Sequence, residues 1–125
     1  MTKSRAFWIC AAVTGINALT SAAFSLAGVL SQSQFDIYVM YAAARSLPLA
    51  AIVLFLAAKR SEIGIAVLAV TMGLVQACDA VVGILAHDVG KTVGPAVLAV
   101  ATLACAYNLL RLVSVSTPGT RALTS

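Results

Sequence analysis

Apolar positions along the chain neither alternate nor recur as a narrow stripe; they come in four long runs separated by short polar links. Residues 7–30 form a run of 24 without a charge, and residues 37–58 a run of 22 with Arg45 as the one charge. Residues 63–86 form a run of 24 with Asp79 as the one charge, and residues 93–110 a run of 18 with none. A helix needs about 20 apolar residues, with a range of roughly 17–25, to cross the hydrocarbon core of a bilayer. No run shows the period-two alternation over about ten residues that marks a membrane β-barrel strand. Backbone in lipid must satisfy its own hydrogen bonds, which leaves helices. The pattern predicts helices over about 7–30, 37–58, 63–86 and 93–112, within one transmembrane domain spanning 1–113. A flexible Ser/Thr-rich tail over 114–125, with Pro118 and Gly119, completes the chain.

The links at 31–36, 59–62 and 87–92 are short, so sequential helices should run antiparallel and pack as neighbours. The expected fold is an all-α, integral-membrane, up-down four-helix bundle. Asp36 and Ser61 stand where N-caps of the second and third helices are expected, and Gly90 and Pro95 suit the turn into the fourth.

Composition sharpens this picture. Of 125 residues 62% are hydrophobic and only 10% charged, and the mean hydropathy is +1.03. These values exclude a soluble globular enzyme, a disordered chain and an ordinary secreted domain. Eight basic residues give a formal net charge of +4, but they are spread along an apolar chain and do not form a nucleic-acid footprint. They read as topology signals. Lys3, Arg5, Lys59, Arg60, Arg111 and Arg121 fall on one side, and Lys91 alone on the other. This asymmetry places both termini in the cytoplasm. A cleaved signal peptide is rejected, because the first apolar run is far longer than the roughly 7–15 residues of a signal h-region. Cys10, Cys78 and Cys105 form no CxxC and lie within apolar segments, where they read as small buried hydrophobes. Neither a metal nor a cofactor is expected.

The candidate chemistry lies in the polar residues within the spans. A charge at the bilayer centre costs on the order of 2.5–3.5 kcal/mol on insertion scales and usually faces the bundle interior. Arg45 is eight positions inward from Ile37, about 12 Å at the helical rise. Asp79 is seven positions inward from Ala86, about 10 Å by the same rise. The two reach a common level on adjacent helices and are expected to pair. Helical spacing puts Tyr38 and Tyr41 on the face of Arg45, and Gln76 and Gly83 on the face of Asp79. Pro48 can kink the second helix and free a carbonyl near the pair. Thr14, Asn17, Ser21 and Ser25 form a polar stripe on the first helix, expected to turn towards the pair. Asp36, His87 and Asp88 sit at the outer rim.

An arginine beside a carboxylate can orient water and stabilise developing negative charge while the carboxylate acts as base. A second acid must then supply a proton. The residue types resemble those of soluble epoxide hydrolases of the limonene-epoxide type, which use Asp–Arg–Asp, although no sequence is shared. The catalytic candidates are therefore Arg45, Asp79, Asp36 and His87, with Asn17, Ser21, Tyr41 and Gln76 as substrate-binding candidates. The expected substrate is a lipophilic small molecule (an epoxide, an isoprenoid or a polyketide) entering from the bilayer, to be opened, cyclised or isomerised.

Two other readings stay open. One is a small transporter or exporter component, since a paired intramembrane acid can couple proton binding to substrate movement. The first helix lacks the acid of small multidrug-resistance exporters, and neither the signatures of small fluoride channels nor the Pro-x-Glu of lycopene-cyclase halves occur. The other is a structural accessory subunit. Gly15, Gly28, Gly64, Gly73 and Gly94 permit close backbone approach, but no clean GxxxG occurs inside a helix, so a homo-oligomer is left open.

From about 41 to 110 the chain resembles a group of small four-helix membrane proteins related to the DoxX-like bundles. The resemblance is carried by Ala43-Ala44-Arg45 with Leu49, by Lys59-Arg60, by Cys78-Asp79-Ala80 and by His87-Asp88-Val89-Gly90. Ala43 and Ser46 stand where relatives often have Gly and Asp, and the fourth helix lacks a His. The resemblance implies an architecture with Arg45 and Asp79 as its marked positions, without an established activity.

Overall fold

The computed structural model describes residues 2–31 and 37–115, with the side chain of Tyr38 left aside. It is all-helical: α1 spans Lys3–Ser31, α2 Ile37–Ala58, α3 Glu62–Leu85 and α4 Val89–Val115. All four are long and apolar enough to cross a membrane. The expected cap Asp36 and the tail from position 116 lie outside the described residues.

The link between α2 and α3 is a single tight motif. Arg60 adopts a left-handed conformation (φ 51°), its N–H bonds Ala57 C=O and the Ser61 N–H bonds Leu56 C=O. This six-to-one closure ends α2 without a glycine. Ser61 then caps α3 through its hydroxyl, which accepts from Gly64 N–H. The α3–α4 link repeats the device: His87 is left-handed (φ 54°), and the His87 and Asp88 N–H groups bond Ile84 C=O and Gly83 C=O. Asp88 caps α4, its carboxylate accepting from Lys91 N–H at 3.1 Å. The sequence placed the fourth helix at 93, after a six-residue loop. The Asp88 cap moves its start to Val89 and draws Gly90, Lys91 and Thr92 into its first turns. Pro95 therefore lies inside α4 rather than in a turn.

Side chains are sorted by size as much as by polarity. On α3 buried Ala66, Ala69, Gly73, Gln76, Ala80 and Gly83 recur at intervals of three and four, beside the larger buried Ile65, Leu68 and Met72, while Val67, Leu74, Val81 and Ile84 face outward. Small inward residues allow close helix approach, and large aliphatic outward ones are compatible with lipid contact. An apolar cluster joins the start of α1, the start of α3 and the end of α4 around Phe7, Cys10, Ile65 and Leu109. A second joins α1, α2 and α3 around Ala18, Val53 and Met72.

Sequential helices are not equal neighbours. The α3–α4 pairing is the most extensive and α1–α2 the next, whereas the backbones of α2 and α3 come close at few positions and their side chains meet in the second cluster. Among the described residues, α2 lies more against α1 than against α3.

Candidate functional site

A polar layer crosses the middle of the bundle. Asn17 donates to Thr102 Oγ1 at 3.1 Å, and the Gln76 amide donates to Asn17 Oδ1 at 2.5 Å and to Ser21 Oγ at 3.1 Å. Asn17, Thr102 and Gln76 are all buried, so α1, α3 and α4 are tied by bonds that do not compete with water. The Thr14 hydroxyl, one turn from Asn17, is buried with no hydrogen-bond partner among the described residues. Nearer the start of α2, the Ser46 hydroxyl gives its proton to Ala42 C=O at 2.8 Å. Ser25 Oγ lies 3.3 Å from Ser46 Oγ and must therefore be the donor between them.

Arg45 and Asp79 meet, as the depth arithmetic required. Arg45 Nη2 donates to both carboxylate oxygens, at 3.2 and 3.4 Å. Nη2 alone serves Asp79, and Nε and Nη1 donate to no other described residue. The pair bridges two helices whose backbones come close at few other positions. Against the expectation that intramembrane charges face the bundle interior, it is not sealed there: the Arg45 side chain is 50% exposed and that of Asp79 37%. The inward stripe of α2 is Ala43, Ser46, Ala50 and Val53, and Arg45 stands one position off it.

Above the polar layer the helices enclose a cavity of about 610 Å³. Ser21, Phe24 and Ser25 line it from α1, Arg45 and Ser46 from α2, and Gln76 and Asp79 from α3. From α4 come Lys91, Gly94, Pro95 and Leu98. Beyond the Asn17–Thr102 bond, α1 and α4 thus face each other across open space. The volume lies within the roughly 300–1,000 Å³ typical of sites for drug-sized molecules.

The sequence-derived candidates divide accordingly. Arg45, Asp79, Ser21 and Gln76 are brought together on one cavity wall. Asn17 lies beneath, occupied in the polar layer. Tyr41, one turn from Arg45 on α2, is 70% exposed and does not line the cavity. His87 lines a separate recess of about 290 Å³ with Gly83, Asp88 and Thr92. It is held there by its left-handed backbone, away from the ion pair. Asp36 lies outside the described residues, as does the side chain of Tyr38. Lys91 and Ser46 went unrecognised in the sequence. The signal for Lys91 was Asp88 three positions earlier: read as an N-cap, it puts Lys91 in a helix with Pro95 and Leu98 one and two turns on.

Asp88 outside the spans is the titrating group with a clear physical shift. The backbone N–H of Lys91, then its ammonium, hold the Asp88 carboxyl below its ordinary value. Among the described residues, no group of three or more His, Cys, Asp or Glu side chains could hold a metal ion.

Compared with family models, with curated proteins and with solved structures, the chain finds no match.

Proposed function

We propose that the chain is an integral-membrane enzyme, an up-down bundle with both termini in the cytoplasm, that opens, cyclises or isomerises a lipophilic small molecule in this cavity. The observation that carries the reading is the position of the ion pair: Arg45 and Asp79 stand on the wall of a cavity of about 610 Å³. A purely structural pair would be expected within packed side chains. In the epoxide-opening form of the reaction, Asp79 takes a proton from water and the resulting hydroxide attacks an epoxide carbon. The carbon–oxygen bond breaks as the new one forms, and Arg45 stabilises charge on the departing oxygen. The proton taken by Asp79 returns through solvent to that oxygen, so the net change is addition of one water. Asp36 remains a candidate proton donor, while the separate recess around His87 argues against a direct role for that residue. The collection of Lys3, Arg5, Lys59, Arg60 and Arg111 at the helix ends supports the orientation. A relationship to the DoxX-like bundles rests on Ala43-Ala44-Arg45 with Leu49, Lys59-Arg60, Cys78-Asp79-Ala80 and His87-Asp88-Val89-Gly90.

The test is turnover of a terpenoid epoxide by purified protein in nanodiscs, with the diol followed by mass spectrometry. Asp79→Asn is expected to lower the rate by about 10²–10⁴, the usual contribution of a positioned base, while helicity and elution volume stay unchanged. Equal rates for Asp79→Asn and the parent protein would overturn the reading.

The loose seating of α2 favours transport as a second reading. Because the backbones of α2 and α3 come close at few positions, protonation of Asp79 would release a polar link between them and leave α2 held by its apolar contacts. That reading predicts proton-coupled flux of a lipophilic cation or acid across liposomes, which the enzyme reading does not require.

A further inference from the structure

Two cations and one acid line the cavity: Arg45 and Lys91 against Asp79. Arg45 and Asp79 answer each other, at 3.2 Å. Lys91 lines the cavity from α4, and its own partner Asp88 does not line it. The Lys91–Asp88 contact joins exposed side chains three residues apart, an arrangement weak enough to yield to a ligand. The hydroxyls of Ser21 and Ser25 and the apolar surfaces of Phe24 and Leu98 share the lining with these charges. The lining is thus apolar in part, bears hydrogen-bonding groups, and carries one positive charge in excess.

We propose that the cavity takes an amphiphile with an anionic head, a carboxylate in the simplest case, and that Lys91 is the residue that selects it. This deepens the catalytic reading and rests on it for the identity of the site. The Lys91 ammonium binds the head, the chain lies along Phe24 and Leu98, and the reactive carbon faces Arg45 and Asp79. Lys91 is a specificity residue here and performs no bond-making step. The carboxylate exchanges water for a charge-assisted hydrogen bond, which a neutral head of the same size cannot match.

Gly94 supplies an independent probe of location. It lines the cavity, and a Cβ built there meets nothing within 4 Å, so a side chain can start from this position into open space. Gly94→Leu should therefore fold and obstruct the cavity.

The experiment is native mass spectrometry of the full chain released from detergent micelles, titrated with oleic acid and with oleyl alcohol. Lys91→Gln is expected to weaken oleate binding about tenfold, the scale of one charged hydrogen bond, and Lys91→Arg to restore most of it. Oleyl alcohol binding should be unchanged by either substitution and weakened, like that of oleate, by Gly94→Leu. Equal affinity for acid and alcohol, or oleate binding indifferent to Lys91→Gln, overturns the assignment of Lys91 and leaves the catalytic reading standing. If neither probe binds, or Gly94→Leu affects neither, the cavity is not a ligand site and both readings fall together.

Discussion

At Gly83 the absence of a side chain lets α3 lie against the backbone of α4. A Cβ there would collide with the Lys91 carbonyl group and come within 2.7 Å of Thr92 N. That carbonyl is itself unusual, since Pro95 four residues on has no N–H to give it. Backbone atoms cannot swing aside as the end of a long side chain can. Gly83→Ala is therefore expected to cost about 1–3 kcal/mol, in the range of overpacked cores, seen as a lower melting temperature in micelles. Gly94→Ala, in open space one helix away, should instead gain about 0.5–1 kcal/mol through reduced backbone entropy. The polar stripe Thr14, Asn17, Ser21 and Ser25 is readable from spacing, and Asn17, Ser21 and Ser25 find hydrogen-bond partners on other helices while Thr14 is buried without one among the described residues. Tyr41 shares the flank of Arg45, as spacing predicts, but that flank is not the inward face: a long arginine there reaches Asp79 from the side. Ser46, small and buried, marks the inward face.

Among the elements, α4 shows most clearly how a local cap governs what the site contains. Asp88 stabilises the first turn by accepting from Lys91 N–H, and its carboxyl is held below its ordinary value. A group with a depressed folded-state pKa contributes stability that is present above its unfolded value and lost as the pH falls through the folded one. The melting temperature should therefore drop as pH falls below about 4, the ordinary aspartate range. Asp88→Asn keeps an acceptor but removes the titration, so the difference between parent and variant should shrink at low pH. A difference that stayed constant with pH would show that the cap does not depend on charge. Helix bounds were legible for α2 and α3, whose ends carry charge or a capping serine. The start of α4 was not, because Gly90 and Pro95 are turn residues by propensity and Asp88 outweighs them only through its bond to Lys91. Placing Lys91 in a loop hid one charged wall of the cavity.

For the molecule as a whole, the four spans follow from hydropathy, since lipid leaves a chain of this composition no alternative to helices. The cavity does not, because it depends on how unevenly the helices pair. Apolar clusters fill the end where α1 and α3 begin, the amide layer of Asn17 and Gln76 closes the middle, and the cavity occupies the remaining depth. The close pairing of α3 with α4 and of α1 with α2 is a property of the packed bundle, and no pattern of polar and apolar positions records it. The basic residues add a constraint on direction. Lys3 pairs with Glu62 at 2.8 Å and Arg60 stacks over the Trp8 ring at 5.7 Å, so the starts of α1 and α3 share one end. If that end faces the cytoplasm, as proposed, the cavity opens towards the opposite leaflet and its ligand must arrive there. Single cysteines at exposed positions can decide this, in a chain whose three native cysteines are replaced by alanine. A membrane-impermeant maleimide applied to intact cells should label Ala86→Cys, and should label Ser4→Cys only after permeabilisation. The reverse pattern would turn the molecule over and place the cavity, with Arg45, Asp79 and Lys91, within reach of cytoplasmic substrates. Labelling of both positions from the same side would contradict the up-down arrangement itself, since α1, α2 and α3 in succession must carry Ala86 to the face opposite Ser4.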